Sequence, residues 1–247
     1  MNSVLRRIIA SYDSLILNQL DAALNLHVRN FKRDLFPSLR DIDLAIPGAG
    51  FQYVIWVDNN PKFPFPGLEF DGIARPMKYI PDFLASGMNF AKITRVVAQF
   101  SGGHVEECVK AICNSLRLPI SRYDRLPLGT LAKNKNVIKT LGTALTGSLS
   151  EYADVLVNKA KHQYALGSPE PVITFPDALG GYLASRILGF QVLEKGGILD
   201  KYVESVRQAY SQKIVYVMPD STDSGDDDVE WPLQSDLSLP REELERN

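Results

Sequence analysis

Apolar side chains recur at steps of three and four over two long stretches of this 247-residue chain, and that period commits most of it to amphipathic helix. The first stretch carries Val4, Leu5, Ile8, Ile9, Tyr12, Leu15, Ile16, Leu20, Ala23 and Leu24. It reads as one helix from Ser3 to about Leu35, capped by Ser3 and ended ahead of Pro37. Arg7, Asp13, Asn18 and Asp21 face away from that stripe. So long a helix with one apolar side packs in a bundle or at a dimer interface.

Helical periodicity resumes near Asn89 and runs to about Leu118, with Ile93, Val97, Phe100, Val105, Cys108, Val109 and Ile112 on its buried side. Gly102-Gly103 in its middle marks a kink or a close approach of another backbone. Further helices are expected over about 128–145, 148–166, 175–188 and 197–210. Pro176 suits a first turn, and Gly189 suits a stop.

Between the two periodic stretches the composition changes. Seven prolines (37, 47, 61, 64, 66, 76 and 81) exclude helix from most of residues 37–81. Within this insert Phe51 to Val57 is rich in β-formers, and Asp58-Asn59-Asn60-Pro61 is a turn signal. One strand at 51–57 is expected, pairing with 214–218 or within a small hairpin. Phe63, Phe65 and Phe70 fold the insert onto the helices or line a binding loop. The fold class is therefore mainly α: a helical bundle spanning 1–218 with a small β element. Residues 219–247 form an acidic tail that cannot build a core and is expected to be disordered. Trp231 lies in an apolar island of that tail, suited to docking on a protein partner or folding back.

No apolar run approaches the roughly 20 residues that span a bilayer, and Asp13 and Asn18 interrupt any signal-peptide core. A cytoplasmic protein without membrane contact is expected. Cys108 and Cys113, five apart, sit about 140° apart on a helix and read as buried thiols rather than a disulfide. His27, His104 and His162 have no zinc-finger spacing to a cysteine, so neither metal nor cofactor is expected. The net charge of −2 is uneven: the tail from Pro219 onward carries ten acidic residues and two arginines, which leaves +6 on residues 1–218. A basic body with an acidic tail permits nucleic-acid contact, and equally suits a solvated surface with a solubilising tail.

The chain has no phosphate-binding glycine loop, no His-Glu-x-x-His and no Gly-x-Ser-x-Gly. Gly180-Gly181 lies inside a helical pattern and reads as close helix packing. His104 with Cys108 four residues on invites a hydrolase reading, set against a core histidine beside a buried thiol. The helix around His162 says more. Leu149, Tyr152, Ala153, Leu156 and Ala160 share one side, while Asn158 and His162 share the other with Glu151 and Asp154. Asn158 and His162 are four apart and so are neighbours; Lys159 and Lys161 flank them. A histidine so placed can meet a phosphate backbone and serve as acid or base near neutral pH. A solvated helix face is the plain alternative.

Val157-Asn158-Lys159-Ala160-Lys161-His162 resembles the Arg-Asn-x-x-x-His motif of the HEPN superfamily. The order of elements resembles it too: long helices first, the motif on a later helix, then another amphipathic helix. The resemblance covers about Met88 to Tyr210. It implies a helical bundle, often dimeric, of a kind common in toxin–antitoxin and phage-defence systems. It also implies that Asn158 and His162 are the catalytic pair of a metal-independent ribonuclease, with Lys159 and Lys161 contacting RNA or a nucleotide. The family's arginine is Val157 here, which can neither bind a phosphate nor stabilise its transition state. The expectation is a HEPN-like binding or regulatory protein with lost or altered catalysis. An active ribonuclease using His162 and a protein scaffold docking through Trp231 are the alternatives.

Overall fold

Leu179, Leu183, Ile187, Leu188, Val192 and Leu193 point around every side of one helix, α8 (Phe175–Lys195), and all are buried. A helix that is apolar all round must be surrounded, and the other helices do this. The structure is a computed structural model and describes residues 1–27, 72–73, 76, 80, 90–161 and 172–205. Among the described residues the helices before α8 are, in chain order, α1 (Ser3–Tyr12), α2 (Ser14–His27) and α3 (Phe90–Ser115), and residues 72–73, 76 and 80 of the proline-rich insert are helical too. A 3-10 turn (Tyr123–Arg125) leads into α4 (Leu128–Ala132), α5 (Lys135–Leu141) and α6 (Thr143–Tyr152). A π-helical turn (Ala153–Val157) then joins α6 to α7 (Asn158–Lys161). After α8 a further helix occupies 199–205. The described residues are mainly α, with no strand among them. The expected β element at 51–57 and 214–218 and the acidic tail at 219–247 lie outside them.

α8 starts where Thr174 Oγ1 accepts the Asp177 N–H at 3.2 Å, with Pro176 in the first turn as expected. It does not stop at Gly189. Phe190, Val192 and Leu193 beyond that glycine are buried. Burying each such side chain contributes about 1.5–3 kcal/mol, against about 1 kcal/mol for a glycine in a helix. The helix ends instead at Gly197 (φ 68°), where Ile198 N–H reaches Leu193 O and Gly197 N–H reaches Glu194 O, both at 3.0 Å. These two bonds are a Schellman motif with glycine at its left-handed position.

The expected single helix from Ser3 to Leu35 is broken at Asp13, which is extended (φ −155°, ψ 117°). Its Oδ1 accepts the Leu15 N–H at 2.8 Å and so caps α2, a local bond that competes with continued helix. Asn2, not Ser3, caps α1, accepting the Val4 N–H at 2.8 Å. Arg6 grips Asp21 with two bonds of 2.8 and 2.7 Å and ties the hairpin together. Folding back leaves Leu15 64% exposed while Ile16, Leu20 and Ala23 are buried. α1 lies along α8, with Met1 and Leu5 against Gly180 and the Tyr12 ring edge-on to Phe190 at 6.4 Å.

The expected helix over 128–145 is three pieces. Asn134 Oδ1 accepts the Asn136 N–H at 2.9 Å and restarts the chain as α5. Gly142 (φ 84°) ends α5 and begins α6. α3 keeps its expected extent and runs in the same sense as α8, with Ile112 packed against Gly196. Its Gly102 is a place of close approach, because a Cβ there would meet Val157 Cγ2 at 2.8 Å and Cγ1 at 2.9 Å. A branched side chain, rather than another backbone, uses the notch.

That notch makes a double-mutant cycle informative. Gly102→Ala is expected to cost about 1–3 kcal/mol by overpacking, and Val157→Ala about 1–2 kcal/mol by lost burial. Urea unfolding of the double variant should give less than the sum, since the shortened side chain makes room for the new methyl. Strict additivity would show that the two residues do not touch.

Candidate functional site

The face singled out by sequence is carried by α7 and the π turn ahead of it. Leu149, Tyr152, Ala153, Leu156 and Ala160 are all buried, so the apolar side of this rod lies where the periodicity puts it. The π turn changes the register locally. The Asn158 N–H bonds to Ala153 O, five residues back, which inserts one residue into the helical repeat. Asn158 comes out half-buried, with Nδ2 donating to Asp154 Oδ1 at 3.1 Å across an exposed surface. Val157 is 2% exposed and faces Gly102. His162 lies outside the described residues, as does Trp231.

Lys159 is half-buried and Lys161 is exposed at the same helix end. Lys161 is engaged within the protein: its Nζ donates to Glu106 Oε2 at 2.8 Å. The same Glu106 takes Lys110 Nζ on Oε1 at 2.9 Å, and its Oε2 also accepts the Leu128 N–H at 3.2 Å. One carboxylate therefore gathers α3, the start of α4 and the end of α7. Burial alone would raise the Glu106 carboxyl, but hydrogen bonds and charge from Lys161 and Lys110 outweigh it, and the group ends below its ordinary value. On the other flank of α7, Arg95 Nε and Gln99 Nε2 donate to Ala160 O at 3.0 and 2.8 Å, a side-chain cap supplied by α3.

His104 and Cys108 sit on the buried side of α3, where the register puts them. His104 is 1% exposed, and its Nδ1 lies 2.8 Å from Ile73 O, to which it donates. Burial first, and then the charge of Arg186, lower its pKa to about 3, against the opposing pull of the Ile73 bond. Burial drives the Cys108 thiol well above its ordinary range. A thiol held protonated in the core is no nucleophile, so this pair does not build a hydrolase site.

Sequence reasoning passed over Arg186, which is 0% exposed on α8. Its signal was available. It is the one charge between Leu179 and Phe190 in a helix apolar on all sides, so it must be buried with them. Two buried hydrogen bonds also end on α8: Tyr152 Oη donates to Gly181 O at 3.1 Å and Ser185 Oγ to Tyr182 O at 2.6 Å. The charge of Arg186 also reaches His104 on α3.

Among the described residues, no group of three or more His, Cys, Asp or Glu is placed to hold a metal ion. No described helix is long and apolar enough to cross a membrane. No family model matches the chain, and no match is found among curated proteins or solved structures.

The depressed His104 has a thermodynamic signature. The unfolded chain binds a proton near pH 6.5 and the folded one only near pH 3, so stability is full above 6.5 and falls as pH drops through that window. Glu106 adds its own loss only below its ordinary 4.5. Urea unfolding at several pH values is expected to show the wild type weakening between pH 6.5 and 4.5. In His104→Gln that segment should flatten. An equal slope in both proteins would place the titration elsewhere.

Proposed function

We propose that the chain is a HEPN-like helical protein that binds RNA or a nucleotide as a regulatory component and has lost or altered the family's ribonuclease chemistry. The observation that carries this reading is the pairing of two neighbours: Asn158 on the outer face of α7, and Val157 sunk into the Gly102 notch. In this reading Asn158 would meet the ligand, and a packing residue stands where the motif has its cation. Lys159 lies beside Asn158, and Lys161 can reach a phosphate only by leaving Glu106. The basic balance of residues 1–218 favours an anionic ligand. The family habit favours a homodimer in a bacterial stress or defence setting, with the acidic tail and Trp231 recruiting a protein partner.

A second reading, the active ribonuclease, is favoured by Arg95. This residue brings a guanidinium to the same helix end, bonded to Ala160 O at 3.0 Å. It would have to serve where the motif arginine does not.

Incubating the purified protein with end-labelled single-stranded RNA separates the two. The binding reading expects retention of intact RNA, weakened in Asn158→Ala/Lys159→Glu. Cleavage that disappears in both His162→Ala and Arg95→Lys would establish the enzyme instead. A protein that neither retains nor cuts RNA would leave the scaffold reading, to be tested by partner capture that depends on Trp231.

A further inference from the structure

From Arg117 to Lys139 the chain carries six cations (Arg117, Arg122, Arg125, Lys133, Lys135 and Lys139) and a single carboxylate, Asp124. All six cationic side chains are exposed. They occupy the turn after α3, the 3-10 turn and the ends of α4 and α5. Asn136 Nδ2 reaches Pro119 O at 3.4 Å, so the start of α5 lies against the loop that bears Arg117 and Arg122. Asp124 lies nearest its own neighbour, Arg125, at 3.7 Å. The segment is therefore a positive surface with little internal neutralisation.

Two of these arginines are held where an L-residue is disfavoured. Arg117 (φ 48°) and Arg122 (φ 53°) are the non-glycine residues with positive φ among those described. At Arg117 the reason is visible in the hydrogen bonds. Leu118 N–H reaches Cys113 O at 2.9 Å and Arg117 N–H reaches Asn114 O at 3.0 Å, a Schellman end to α3. α8 ends in the same motif, with Gly197 at the corresponding position. One fold thus contains the glycine solution and the arginine solution to one backbone problem. The arginine costs backbone energy that glycine would not, and adds an exposed guanidinium in return.

From this surface we infer that residues 117–139 form a contact face for the sugar-phosphate backbone of a nucleic acid. The inference rests on the RNA-binding reading for the identity of the ligand and assigns that ligand a surface. Three of the six cations are arginines, whose planar fork suits phosphate oxygens. No large apolar side chain is exposed within the segment, and Leu116 just ahead of it, 43% exposed, is too little to insert into a lipid layer. The face is also continuous with the motif helix. Lys161 Nζ and the Leu128 N–H share Glu106 Oε2, at 2.8 and 3.2 Å, so the end of α7 and the chain just past Arg125 meet at one oxygen.

The test measures anisotropy of a labelled single-stranded RNA against the full-length chain, between about 50 and 200 mM salt. Arg117→Gly/Arg122→Gly removes two charges and the unfavourable φ together, so its melting temperature should equal or exceed that of the wild type. Its affinity at the lower salt should fall roughly fivefold or more, and its salt slope should flatten by about 1.4, or 0.7 per lost phosphate contact. Arg117→Lys/Arg122→Lys should keep the slope, and Arg7→Ala/Lys201→Ala, equal in charge removed but outside this segment, should keep both slope and affinity. Wild-type binding that survives unchanged in the glycine variant overturns the inference and leaves the RNA-binding reading standing. A wild type that does not bind RNA overturns both. Binding to phosphatidylserine vesicles in preference to RNA overturns the inference in favour of a lipid surface.

Discussion

Burial of α8 on every side is the constraint to which the other described helices answer. A helix that meets water only at its ends must be covered by apolar faces from several directions, and the chain supplies them from distant segments. α1 arrives from the N-terminus, α3 from the middle, and the π turn with Leu156 from the other flank. Close approach needs small residues at the contacts, and Gly180 and Gly181 take Met1, Leu5 and Leu156. Arg186 sits in the same helix with no exposed surface. A buried cation is costly unless its surroundings compensate it, and it disfavours any further positive charge nearby. That is one reason His104 stays neutral.

The periodicity in the sequence identified α3, the buried side of the 149–160 rod and the start of α8, because in each the apolar residues recur without a competing local signal. It failed at Asp13, Asn134, Gly142 and Gly189. At Asp13 and Asn134 a short polar side chain caps the next helix, and a stripe that merely continues in sequence does not reveal that the axis has turned. Leu15 was counted into the stripe and lies outside it. Gly142 has a positive φ that periodicity does not encode. Gly189 failed in the opposite direction, since packing on both sides of it overrode the intrinsic weakness of glycine in a helix.

The candidate site was legible as a list of residues more than as an arrangement. A helical wheel puts Asn158 beside Asp154, and their side chains are bonded. The same wheel says nothing of Glu106, fifty-five residues away in sequence, which occupies Lys161. Nor does it show that Val157 fills a notch opened by Gly102. That second contact matters for the resemblance. A hydrophobic residue on a helix can lie at the surface or be part of the packing. Here the two valine methyl groups lie where a Cβ on α3 would collide with them, so an arginine at 157 would need both helices to move apart.

Two ways of holding cations follow from these contacts, and they suit different roles. Lys110 and Lys161 are clamped by Glu106, a group whose carboxyl they hold ionised, and moving either lysine to a ligand would leave a partly buried carboxylate with fewer partners. Such lysines serve first as struts between α3 and its neighbours. The cations of 117–139 have no comparable partner in sequence, since Asp124 is the only acidic residue among them. Their mutual repulsion is unfavourable to the folded chain, and the left-handed backbone at Arg117 and Arg122 adds to it. Folding alone would be better served by glycine, as α8 demonstrates at Gly197. A fold that keeps arginine at the end of α3 while using glycine at the end of α8 is stabilised less than it could be, and the difference lies in a segment with six exposed cations and one carboxylate.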